Sequence, residues 1–126
     1  MNRVLVDTSV WIDFFKGDPQ AKALNDLIDQ NQVYINDLIK VELIPFLLVR
    51  KENEVVGLLN QLENISLSID WNEIAQMQLV NLKSGINKVG IPDLIVVQNV
   101  LQNDLILYSQ DKHFELMKNK FGYKTY

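Results

Sequence analysis

No cysteine occurs in the 126 residues, and there is a single histidine. Without thiols, neither a disulfide framework nor a thiolate metal site can be built, and a reducing cytoplasm is the natural compartment. No long apolar run occurs either. Three apolar residues, Val4 to Val6, precede the acid Asp7, too short a run for a signal-peptide core or a membrane span. No stretch rich in proline, glycine or serine marks a linker, no repeat is visible, and no segment is polar enough to stay disordered.

Hydrophobic residues make up 48% of the chain and charged residues 22%, the balance of an ordinary globular protein. A chain of this length closes around one core, so residues 1–126 are read as a single domain. The formal charge is -4, unlike that of a protein that coats nucleic acid. Setting aside Asp7, Glu42, Asp93 and Asp111 leaves acids and bases equal in number, so local lysine clusters could still meet phosphate.

Val4-Leu5-Val6 reads as a strand buried on both faces, and from Ser9 the apolar residues Val10, Trp11, Phe14 and Phe15 fall at helical spacing as far as Gly17. A helix over 20–30 and a strand Val33-Tyr34-Ile35 follow. Asn36 or Asp37 caps the next helix, which presents Leu38, Val41, Leu43, Leu47 and Leu48, with Pro45 predicting a kink just past Glu42. Beyond it come a helix over 52–63, a strand Ile65-Ser66-Leu67 and a helix from Asp70 to Ser84 that Gly85 ends. Pro92 opens a helix with Leu94, Val97, Val100 and Leu101 as its inner stripe. Leu105 to Tyr108 is the next strand, Lys112 to Lys118 a short helix, and 123–126 a possible edge strand. Strands alternating with helices predict an α/β domain, a three-layer sandwich around a mainly parallel sheet.

Four acids stand out. Asp7 and Asp111 each follow a buried strand and precede a helix, the place where open α/β sheets bind ligands. Each could equally be a helix cap, and Asp93, after Pro92, could simply complement a helix dipole. Glu42 lacks that explanation, because it sits mid-helix between Val41 and Leu43. Carboxylates about 4 Å apart repel by ~4 kcal/mol per pair at an effective dielectric of about 20, so four together call for a cation. Oxygen ligands favour magnesium or manganese, and the chemistry implied is phosphoryl transfer to water.

Two blocks of the sequence resemble a known family. Residues 4–15, VLVDTSVWIDFF, are similar to the opening of PIN-domain nucleases, in particular the VapC-like toxins of toxin–antitoxin pairs. Glu42 in KVEL resembles the family's mid-chain acid, and GIPDLIVVQNVLQNDLILYSQDKHFE, residues 90–115, its third acid, helix, strand and final acid. The resemblance implies that Asp7, Glu42, Asp93 and Asp111 are the metal-binding and catalytic acids, with Thr8, Ser9 and Ser109 as supporting hydroxyls. It implies a magnesium- or manganese-dependent endoribonuclease acting on structured RNA such as transfer RNA, a homodimer, and inhibition by a cognate antitoxin. The sequence departs from the family pattern at Pro45 and in the tail Gly122-Tyr123-Lys124-Thr125-Tyr126.

Lys112, Lys118, Lys120 and Lys124 make the end of the chain locally basic, and Lys112 is the candidate among them to meet RNA phosphate. His113 reads as a solvated first-turn residue, and Trp11, Phe14 and Phe15 as core or dimer packing. Two other functions fit parts of the pattern. An aspartate-based phosphatase would use Asp7 as nucleophile, but it usually needs a second Asp at position 9, which is Ser. A non-catalytic binding module would keep the fold and use metal only structurally.

Overall fold

The computed structural model describes residues 2–126. Five strands, β1 (Val4–Val6), β2 (Val33–Ile35), β3 (Glu63–Asn64), β4 (Ile106–Tyr108) and β5 (Lys124–Thr125), form one sheet in the order β3-β2-β1-β4-β5. Every pairing is parallel, with Leu5 opposite Tyr34 on one side and Leu107 on the other. Val4, Leu5 and Val6 are fully buried, as a central parallel strand covered on both faces requires.

Seven α-helices connect the strands: α1 (Thr8–Phe15), α2 (Ala23–Asp29), α3 (Asp37–Val49), α4 (Asn53–Gln61), α5 (Trp71–Lys83), α6 (Ile91–Asn103) and α7 (Lys112–Phe121). A 3-10 turn over Pro19–Ala21 precedes α2. From β1 the chain steps outward to β2 and β3, then crosses back to β4 and on to β5. Right-handed crossovers place the helices of these two runs on opposite faces. The packing of α1 and α4 on α3, and of α5 on α6, agrees. The three-layer α/β/α sandwich expected from the element order is the observed architecture.

The strand order reverses between β1 and β4. A crevice therefore opens at their carboxyl ends, because the connections leave the two strands toward opposite faces. Asp7 follows β1 and Ser109 follows β4, and the Asp7 amide donates to the carbonyl of Tyr108 at 2.9 Å.

Several local expectations need correction. The third strand pairs through Glu63 and Asn64 rather than Ile65 to Leu67, with the Ile65 amide still donating to the carbonyl of Ile35 at 2.7 Å. α3 is one continuous helix through Pro45. Its buried side is Ile39, Leu43 and Leu47, whereas Val41 is 69% and Leu48 51% exposed. In α6, Leu101 is also exposed, but the whole run Leu94 to Val100 is buried, Gln98 and Asn99 included. That helix is embedded, and Gln98 bonds the backbone of Asp70 and the Glu73 carboxylate, which satisfies its polar end. Trp11 is fully buried and stacked on Phe15 with ring centroids 5.9 Å apart, so the α1 aromatics belong to the core. Gly85, at φ 75°, closes α5 in a conformation that costs a side-chain-bearing residue energy. Among the described residues, no helix is long and apolar enough to cross a membrane.

Candidate metal centre

Asp7 occupies the N-cap position of α1, yet its carboxylate makes no capping hydrogen bond. Its Oδ2 instead accepts from the hydroxyls of Ser9 at 2.9 Å and Ser109 at 3.0 Å. Each hydroxyl also accepts a backbone N–H, Ser9 from Gln110 and Ser109 from Asp111, both at 3.0 Å. A hydroxyl has one proton, so with both protons given to Asp7 the 3.3 Å approach of Ser9 to Ser109 is a contact without a donor. The two serines thus clamp the end of β1 to the loop after β4. Burial pushes the Asp7 carboxyl above its ordinary value, and the two serine hydroxyls and the nearby amides of Thr8 and Ser9 only partly offset this.

Asp111 behaves as a cap. Its Oδ1 accepts from the amide of His113 at 2.9 Å, at the start of α7, and the His113 Nδ1 lies 3.3 Å from the same oxygen. Asp93 stands in the first turn of α6, where Gly90 is the N-cap residue and Asp93 makes no cap. Its carboxyl is pushed up to about 6, first by burial and then by the charges of Asp111 and Asp7; Glu42 adds to this and His113 opposes it. Glu42 lies on the exposed side of α3. The hydroxyl of Thr8, in the first turn of α1, donates to its Oε1 at 3.2 Å. Burial raises Glu42 as well, Thr8 opposes, and the charge of Asp7 adds to the rise.

Asp93 thus lies within electrostatic reach of Asp111, Asp7 and Glu42, and Glu42 within that of Asp7, although the four come from separate elements. Among the described residues, the only ion pair within 4.0 Å is that of His113 with Asp111, so no lysine or arginine neutralises the cluster. Asp93, Asp111 and His113 each bring a ligand atom within 4.8 Å of the others. An oxygen-rich set with one imidazole suits a hard or borderline divalent cation, so the donor chemistry fits magnesium or manganese. His113, read from the sequence as a solvated first-turn residue, stands beside Asp111 and brings an imidazole to this group. The available signal was its place two residues after a helix-capping aspartate, which turns both side chains toward one point. Lys112, the expected phosphate contact, opens α7 on the surface and lines a neighbouring cavity with Glu115 and Tyr126.

A PIN domain family model matches residues 4–120, nearly the whole chain. The chain belongs to the PIN domain family. Its fold is shared by solved toxin–antitoxin structures. A chain of the DNA-bound VapBC from Salmonella typhimurium superposes with a TM-score of 0.77 and 18% identity, covering 100% of this chain and 98% of that one. A chain of VapBC2 from Rickettsia felis, bound to a DNA fragment from its promoter, gives 0.74 and 14%, covering 98% and 96%. A chain of a Klebsiella pneumoniae toxin–antitoxin complex gives 0.64 and 22%, covering 88% and 89%. No curated protein sequence matches the chain.

Proposed function

We propose that this chain is a VapC-like toxin, a magnesium- or manganese-dependent endoribonuclease that hydrolyses phosphodiester bonds of structured RNA such as transfer RNA. The observation that carries the reading is the convergence of Asp7, Glu42, Asp93 and Asp111 at the switch point of the sheet with no basic side chain paired to three of them. Such a cluster is held ionised most readily by a cation, and family membership points the same way.

In this reading the four acids hold the metal, with His113 beside Asp111 as a further ligand atom. The bound ion would polarise the phosphoryl group and favour ionisation of water. Ser9 and Ser109 fix the orientation of Asp7, and Thr8 fixes that of Glu42. In this reading a carboxylate left free of the ion, such as Glu42 with its raised proton affinity, would accept the proton of the attacking water.

Two partners belong to the same proposal, a cognate antitoxin and a second copy of the chain. Two exposed apolar surfaces support it. One is on α3, with Val41, Phe46, Leu48 and Val49; the other, on α5 and the start of α6, has Trp71, Leu79, Leu82 and Ile91.

The test is incubation of the purified protein with total RNA and manganese, beside an Asp7→Asn variant and a chelator control. Cleavage by the wild type alone, abolished by chelation, is expected. Equal cleavage by Asp7→Asn would remove the proposed site, and release of phosphate from small monoesters would turn the assignment to a phosphatase. Metal binding without RNA cleavage would point to a binding module.

A further inference from the structure

The acids do not exhaust the carboxyl edge of the sheet. β5 runs parallel to β4, with Leu107 opposite Thr125, so Tyr126 leaves the sheet at the edge where Ser109 to Asp111 leave it. The Tyr126 amide donates to the carbonyl of Leu107 at 2.9 Å, which anchors the residue. Its ring leans on Tyr108, with centroids 5.0 Å apart and planes at 37°, yet the residue is 55% exposed. A cavity of about 180 Å³ opens beside it, lined among others by Ser109, Gln110, Asp111, Lys112, Glu115 and Tyr126. Ser109 and Asp111 are shared with the acid cluster, so the cavity adjoins it.

We infer that this cavity is a subsite for one unpaired nucleobase next to the cleaved phosphodiester, with the Tyr126 ring as its stacking wall. The inference rests on the nuclease reading above. Three features favour a base as the occupant. The cavity is smaller than the ~300–1,000 Å³ typical of drug-sized ligands, which suits a single planar heterocycle and not a duplex. An aromatic ring held in place by its neighbour offers a stacking face at little ordering cost, and bases splayed from single-stranded RNA are commonly bound in this way. The rest of the lining is polar: Gln110 and Glu115 can meet the donors and acceptors of a base edge, and the Lys112 ammonium can meet an adjacent phosphate. A nucleotide whose phosphate lies at the acids would have its neighbour's base within reach of this wall.

The experiment uses a single-stranded RNA of mixed sequence carrying 2-aminopurine at successive positions, with binding measured in calcium and cleavage in manganese. For the wild type, the fluorescence of 2-aminopurine at one position should be quenched on binding, as stacking requires. Tyr126→Ala should weaken binding on the order of 10-fold and abolish that quenching, while Tyr126→Phe, which keeps the ring, should retain both. Tyr126→Leu preserves apolar packing against Tyr108 and should behave like Tyr126→Ala, which separates stacking from a structural role. If the Ala and Leu variants bind, quench and cleave as the wild type does, the subsite is overturned, the nuclease reading stands, and the exposed ring is left as a protein contact. If the wild type itself neither binds nor cleaves RNA, both readings fall.

Discussion

The side-chain amide of Asn36, at the carboxyl end of β2, donates to Oδ1 of Asn99 in α6 at 3.0 Å, with both residues essentially without solvent exposure. The Asn36 Oδ1 accepts from the amide of Ile39 at 2.9 Å, capping α3, and the Asn99 amide reaches the carbonyl of Ser66 at 3.1 Å. Two asparagines thereby lock the helix that carries Glu42 to the helix that carries Asp93. This pair sets the spacing of acids that touch neither residue.

Asn36→Ala removes the cap of α3 and leaves the Asn99 oxygen buried without its donor. A lost cap costs about 1 kcal/mol and an unsatisfied buried group about 1–3 kcal/mol, so a destabilisation of about 2–4 kcal/mol is expected. Guanidinium unfolding checks it, and a loss below about 1 kcal/mol would show that the network carries little. Exposed Asp37, the neighbouring residue, serves as a control and should be nearly neutral when replaced by Ala.

The acids predict an unusual pH profile for the metal-free protein. A carboxyl whose folded pKa is raised binds its proton more tightly when folded, so its ionisation opposes folding. For Asp93, whose ordinary value is 3.8, this contribution to stability is lost as the pH rises toward and through about 6. Asp93→Asn should therefore stabilise the chelated protein at pH 7, by about 1–2 kcal/mol once solvent screening of a half-buried group is allowed for, with little difference at pH 4. Thermal melts of both proteins across that range provide the comparison. Added manganese should raise the melting temperature of the wild type more than that of the variant; identical pH profiles would mean that folding leaves the proton affinity of Asp93 at its ordinary value.

Ser109→Ala removes one of the two hydroxyl donors to Asp7 and the acceptor for the Asp111 amide. Asp7 then loses an interaction that favours its charge, and its proton affinity rises further. Losses of this kind behind a metal ligand commonly reduce metal affinity or activity by ~10–100-fold. A manganese titration of RNA cleavage should show the shift, with unchanged circular dichroism. An unaltered titration would mean that Ser9 alone orients the carboxylate.

Leu82 is 60% and Trp71 62% exposed, on one face of α5. If a second copy covers that face, Leu82→Glu should abolish self-association without loss of fold, because the side chain is mostly exposed. Sedimentation velocity distinguishes the outcomes. A dimer that survives the substitution would move the interface elsewhere, with the apolar surface of α3 as the next place to look.

Much of this molecule was legible in its sequence, and the failures share a cause. The apolar pattern identified Val4 to Val6 as a buried strand and Leu94, Val97 and Val100 as inward-facing, because a side chain's burial is repeated along its own element. It failed for Val41 and Leu48, because which side of α3 faces inward depends on what packs there. It also failed for the third strand, because the ladder joins backbone groups and is blind to the apolar pattern of Ile65 and Leu67. Asp7 and Asp111 look alike in sequence, each an acid between a strand and a helix. Only the fold separates them, since Asp7 meets two serine hydroxyls and Asp111 caps its helix.

By itself the sequence determined the alternation of strands and helices around a parallel sheet and the absence of thiol chemistry, and it marked Asp7, Glu42, Asp93 and Asp111 as candidates. The tertiary structure alone decided that the strand order reverses between β1 and β4, that the acids share one crevice, that His113 joins Asp111 and Asp93, and that Tyr126 walls a cavity next to them. The reason is physical. Helix and strand propensities act over a few residues, whereas proximity, desolvation and the proton affinities they set arise only when distant segments pack together.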